Sequence, residues 1–149
     1  MDNFSVNAAE ELFSEFPEWR KLARTELDDS GAAFLVVEVA APPESGAKYG
    51  LSIDTSNQEV TVGFDHYHCH FDGFTGDGDH LGTRAALNFI RQILSERIGI
   101  LSWWQGDTWC GSSQIAAGEV PRQPTWSTAA IDRMRVRSWN GTLNHDGAI

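Results

Sequence analysis

The sequence predicts an α+β fold: a single domain over residues 1–149, built on a mainly antiparallel sheet of about six strands with helices packed on one face. Three observations predict it. The chain is 149 residues long, the usual size of one domain. Short apolar runs, alternating or continuous, recur at 34–39, 49–54, 59–64, 100–105 and 131–139, and a Gly106-Asp107 turn leads into a further strand at 108–115. One long amphipathic stretch at about 83–98 interrupts them, so strands come in runs rather than in βα alternation.

The elements follow in order. Asn7-Ala8-Ala9-Glu10 has the form of an N-cap followed three residues on by a carboxylate. Leu12, Phe16, Trp19 and Ala23 then recur at helical spacing, and Pro17 divides the segment into two short helices. Arg20, Lys21 and Arg24 crowd its end, where the helix dipole favours cations. Residues 34–39 form a β-branched run that Pro42-Pro43 stops. Tyr49, Leu51 and Ile53 alternate with Lys48, Ser52 and Asp54, which predicts a half-buried strand, and Ser56-Asn57 turns the chain. Val60, Val62 and Phe64 alternate in the same way, completing an antiparallel meander.

Residues 72–82 are rich in Gly and Asp and read as a loop. The helix at about 83–98 buries Ala86, Leu87, Ile90, Ile93, Leu94 and Ile98, turns Arg84, Asn88, Arg91, Ser95 and Glu96 to water, and ends at Gly99. Gly106-Asp107 turns the 100–105 strand into the 108–115 strand. A loop containing Pro121 and Pro124 follows, and the 131–139 strand turns at Asn140-Gly141.

Charge narrows the function classes. A formal net charge of −10 opposes nucleic-acid binding, where Lys and Arg must neutralise phosphates, and favours a basic protein partner. No run of about 18 apolar residues predicts a membrane span. Met1-Asp2-Asn3-Phe4 lacks the basic and apolar regions of a secretory signal, so a cytoplasmic location is expected. Cys69 and Cys110 form no CxxC pair and read as free thiols.

The residues that could carry chemistry concentrate in Asp65-His66-Tyr67-His68-Cys69-His70-Phe71-Asp72-Gly73. On a continuous strand His66, His68 and His70 would share the face of Val60, Val62 and Phe64, which a core does not tolerate without partners. Either a bulge near Phe64 switches the register, or the strand runs past the core and the histidines line a cleft. His68 and His70 lie roughly 7 Å apart by strand rise, a span that one zinc ion bridges, with Asp72, Asp79, His80 or Cys110 as a third ligand. The segment His68-Cys69-His70-Phe71-Asp72-Gly73 resembles the His-x-His-x-Asp-His segment of metallo-β-lactamase-type hydrolases, with Gly73 in place of the last histidine. Asp72, Asp77 and Asp79 do not follow the alternation of a calcium-binding EF-hand. No nucleophile elbow or phosphate-binding Gly-Lys-Ser/Thr loop is present, so no cofactor is expected. Trp103 and Trp104 are adjacent, which on a strand sends one inward and one outward; Trp104 is the candidate interface anchor. Arg133, Arg135 and Arg137 share a strand face and are expected to pair with carboxylates on neighbouring strands.

Val62-Gly63-Phe64-Asp65-His66-Tyr67-His68-Cys69-His70-Phe71, Trp103-Trp104-Gln105-Gly106-Asp107 and Arg137-Ser138-Trp139-Asn140-Gly141 together resemble segments of small immunity proteins of bacterial polymorphic-toxin systems. The resemblance implies a protein, not an enzyme, that binds and neutralises a cognate and basic toxin domain. The partner-binding residues expected on that reading are Asp65, His66, His68, His70, Asp72, Asp77, Asp79 and Trp104. Two alternatives stand beside it: a metal-dependent hydrolase centred on His68 and His70 with Asp72 or His80, and a regulatory or scaffold domain.

Overall fold

The Asp2 carboxylate accepts the Ser5 amide at 2.8 Å and starts the first helix, α1 (Asn3–Glu15), five residues ahead of the cap expected at Asn7. The computed structural model that shows this describes residues 1–72, 80–126 and 130–148. As Pro17 predicted, the helix is divided there. Pro17–Leu22 forms a 3₁₀ turn in which Trp19 stacks on Phe16 at 4.1 Å.

The fold is α+β, but its strands form two antiparallel sheets rather than one sheet of about six. The first has five strands in sequential order: β1 (Ala23–Leu27), β2 (Ala33–Val39), β3 (Leu51–Asp54), β4 (Glu59–Phe64) and β5 (Tyr67–Asp72). The second has four: β6 (Ile98–Gln105), β7 (Thr108–Ala116), β8 (Arg133–Arg137) and β9 (His145–Ala148), in the order β7-β6-β8-β9. Between them in sequence runs α2 (His80–Leu94). Among the described residues no helix is long and apolar enough to cross a membrane.

Among the described residues two of the nine strands, β1 and β9, carry no hydrophobic alternation to announce them, whereas β5 alternates Tyr67, Cys69 and Phe71 with His68, His70 and Asp72. β1 was expected as a helix end, yet Arg24 and Glu26 are strand side chains in water, and Arg24 bridges Glu26 at 2.7 Å and Glu38 at 2.9 Å. β5 begins a two-residue turn after β4, and β9 (His-Asp-Gly-Ala) is held by its pairing to β8.

Packing divides the chain into two compact units, each assembled from separated segments. The first comprises Met1–Ala40, Gly50–Gly63 and His68–Ile90. Its core places Leu12 of α1 and Ala86, Leu87 and Ile90 of α2 with Leu35, Ile53 and Val60 of the sheet. The space left among them is about 10 Å³, no more than one water needs. A buried hydroxyl pair, Ser5 with Thr55 at 2.6 Å, ties α1 to this sheet, and Thr55 Oγ1 also accepts the Leu35 amide.

The second unit comprises Ala41–Tyr49, Phe64–Tyr67 and Arg91–Ile149. Leu101, Trp103, Ile115 and Val136 form the core on one face of its sheet. Its entry is set by the end of α2, which closes four residues earlier than the expected 98. Glu96 takes a left-handed φ of 56°, its amide bonds Ile93, and the Arg97 amide bonds Gln92. Gly99, expected as the cap, lies instead inside β6, where a Cβ would sit 3.0 Å from the Arg137 carbonyl.

Candidate functional site

Asp65 and His66 form the turn between β4 and β5, with Asp65 in the left-handed region at φ 49°. Of the two expectations for the histidine run, neither a bulge nor a strand running past the core describes the backbone. A tight turn breaks it after Phe64, so His66 does not share a face with His68 and His70. Asp65 is 5% exposed. Its Oδ1 accepts the Lys48 amide at 2.7 Å, while its own amide donates to the Tyr49 carbonyl at 3.1 Å. This two-way staple fixes residues 48 and 49 beside the turn.

His66 thereby enters an aromatic enclosure. Its ring meets Tyr49 edge-on at 5.4 Å and Trp104 edge-on at 4.9 Å, and lies nearly parallel to Trp109 at 6.2 Å. The flanking rings are themselves pinned. Trp104 Nε1 donates to the buried Ser102 hydroxyl and Trp109 Nε1 to the Ser112 hydroxyl, both at 2.9 Å. Cations close the outer faces, Arg133 over Trp104 and Lys48 over Tyr49, each at 5.4 Å.

The expected anchor, Trp104, is buried at 9% exposure and supports this enclosure from within. The exposed members are Tyr49 at 53% and Trp109 at 49%. Sequence reasoning missed both. Tyr49 fits an inward alternation with Leu51 and Ile53, but β3 starts only at Leu51 and leaves Tyr49 outside it. The signal for Trp109 was its place just after the Gly106-Asp107 turn, where an edge residue has few neighbours.

Asp65 Oδ2, His66 Nε2 and Arg135 Nε are shielded from water and make no hydrogen bond among the described residues. Arg135 is held by its other nitrogen, Nη2, on the Gly46 carbonyl at 2.7 Å. Burial lowers the His66 pKa below its ordinary 6.5. Asp65 opposes that shift, while Lys48 and Arg135 add to it. The imidazole is therefore held neutral near pH 7. Because the unfolded chain takes up this proton at a higher pH than the folded one, His66 lowers stability as pH falls below 6.5, until the folded value is passed. A histidine proton titration by NMR is expected to place the His66 midpoint below 6.5; a midpoint at or above that value would contradict the enclosure.

In the first unit, His68, His70 and Asp72 share the exposed face of β5. The His68 and His70 rings lie 5.0 Å apart, edge to face. His70 Nδ1 is taken by Glu59 at 2.7 Å and lies 3.0 Å from the Thr61 hydroxyl. Among the described residues no group of three or more His, Cys, Asp or Glu side chains is arranged to hold a metal ion. His80 opens α2; Asp77 and Asp79 lie outside the described residues. Cys69 and Cys110 are free and half-buried. Of the arginine row, among the described residues, Arg137 takes the expected cross-strand carboxylate, Asp146 at 2.9 Å, whereas Arg135 and Arg133 donate to the carbonyls of Gly46 and Gly106.

Comparison with protein-family models, with curated proteins and with solved structures finds no match to this chain.

Proposed function

We propose that this chain is an immunity-type protein that binds and neutralises a cognate bacterial toxin domain, and that Tyr49 and Trp109 around His66 anchor the contact. The observation that carries the reading is this pair of large aromatic side chains, half in water yet fixed by ring contacts and a hydrogen bond. Rigid exposed aromatics lose little conformational freedom on binding and are favoured interface anchors. The net charge of −10 favours a basic toxin domain, and Asp72, Asp77 and Asp79 would steer its approach.

The test is to search the adjacent reading frames for one that encodes a large secreted protein and to co-express its C-terminal domain as the candidate toxin domain; absence of such a frame would count against the reading. Cells carrying both are expected to grow where cells carrying the toxin domain alone do not. The purified pair is expected to associate more slowly as salt is raised. Replacing Asp72, Asp77 and Asp79 together with Asn should slow association and flatten that salt dependence. Absence of rescue together with absence of a complex would overturn the reading; an unchanged salt dependence would remove only the steering role of the aspartates.

A further inference from the structure

Among the described residues three of the four sheet edges are blunted against pairing with another chain, and one is not. β1 carries Arg24 and Glu26, β5 carries His68, His70 and Asp72, and β9 carries His145 and Asp146. Charged or titratable side chains of this kind protect an edge. β7 is the other edge of the second sheet, nine residues of Thr-Trp-Cys-Gly-Ser-Ser-Gln-Ile-Ala with no charge and no proline.

Its free hydrogen-bonding groups can be placed. The Ala116 amide donates to Glu119 Oε2 at 2.9 Å instead of to β6. In the alternating antiparallel pattern, Ser112 and Gln114 therefore turn their backbone groups the same way, outward from β6. Among the described residues the amides of Ser112 and Gln114 and the Ser112 carbonyl have no partner, while the Gln114 carbonyl takes only the neighbouring Ser113 hydroxyl. Glu119 plugs the far end, so the open stretch runs from Trp109 to Gln114.

A groove of about 660 Å³ lies along the core face of the same strand. Its floor is Leu101, Trp103 and Ile115, and its wall is the strap at 118–126, which brings Val120 and Trp126. The strap is fixed, since Trp103 Nε1 donates to the Arg122 carbonyl at 2.9 Å and the Trp126 ring lies so close over Gly111 that a Cβ there would be 2.7 Å from it.

We infer that β7 receives an added strand: an extended segment of the basic toxin domain, hydrogen-bonded to Ser112 and Gln114, with alternate apolar side chains in the groove and Lys or Arg at the positions between. Main-chain bonds to an open edge supply affinity, and a groove beside it selects the side chains. The occupant is a basic partner rather than a second copy because two bodies of net charge −10 repel one another. The inference rests on the toxin-binding reading and adds the place where the toxin chain lies.

Amide hydrogen exchange, measured with and without the candidate toxin domain used in the co-expression test, tests it. Ser112 and Gln114 are expected to exchange freely in the protein alone and to become protected in the complex. Gln114→Pro removes an outward N–H that the fold does not use, so the variant should keep its near-UV circular dichroism and lose about tenfold or more in affinity. If the toxin domain binds while both amides stay unprotected and Gln114→Pro binds as tightly as wild type, the edge is not the contact and the toxin-binding reading stands. If the amides are protected in the protein alone in step with concentration-dependent dimerisation, a second copy fills the edge and the inference is overturned. If the toxin domain does not bind wild type, reading and inference fall together.

Discussion

Glu96→Ala is expected to lower the unfolding free energy by about 3 kcal/mol, since it removes a charged acceptor shared by several donors. Oε1 accepts the Ser138 hydroxyl at 2.6 Å and the amides of Asn140 and Thr142 at 2.8 and 3.1 Å; Oε2 accepts the Thr142 hydroxyl at 2.7 Å. One side chain at the end of α2 thus organises the whole turn between β8 and β9. That role explains why a non-glycine residue is kept at a left-handed position. Glu96→Gly separates the two effects: it relieves the backbone and loses the clamp, so it should recover only about 1 kcal/mol relative to alanine.

The same carboxylate sets a pH dependence. Burial alone would raise its pKa, but the Ser138 and Thr142 hydroxyls and the Asn140 and Thr142 amides outweigh burial and hold it below its ordinary 4.5. A depressed carboxyl contributes stability that is fully present above 4.5 and is lost as pH falls through the folded value. Denaturant melts of wild type and Glu96→Gln across that range should converge at low pH. Curves that stay parallel would show that the charge contributes nothing.

The second large effect concerns binding. Trp109→Ala is expected to weaken the toxin complex by about 2 kcal/mol, roughly thirtyfold in Kd, mainly through faster dissociation. Thermal unfolding should change little, because half of Trp109 is in water and the bond lost is to the Ser112 hydroxyl. Trp104→Ala should behave in the opposite way. Its ring is buried against His66 under Arg133, so truncation is expected to cost about 3–5 kcal/mol of stability. Isothermal calorimetry and melts on the two variants separate anchor from support. A Trp109→Ala variant that binds as wild type would exclude the aromatic surface as the contact.

The histidine run shows how a correct observation leads to an incomplete geometry. His66, His68 and His70 are two apart and were bound to share a face if the backbone stayed extended. The outward face of β5 does carry His68, His70 and Asp72, as the alternation requires. His66 leaves the series because Asp65 adopts a positive φ, a conformation that Asp tolerates but does not announce. Trp103 and Trp104 likewise point to opposite faces as adjacency demands, yet neither reaches water: the strap covers one, and the His66 turn and Arg133 cover the other.

The sequence by itself determined the α+β class, the helix stripe of Ala86, Leu87, Ile90 and Ile93, and strands β2, β3, β4, β6 and β8, because each carries its own apolar period. It also determined β7, because the Gly106-Asp107 turn returns the chain beside β6. Tertiary structure alone decided the rest. It split the strands into two sheets, made strands of β1 and β9, which have no apolar period, and ended α2 at a glutamate whose partners lie more than 40 residues away. The physical reason is common to all three. Strand pairing and hydrogen bonding between distant residues draw their free energy from partners that local periodicity does not encode, and the site around His66 is made of such partners.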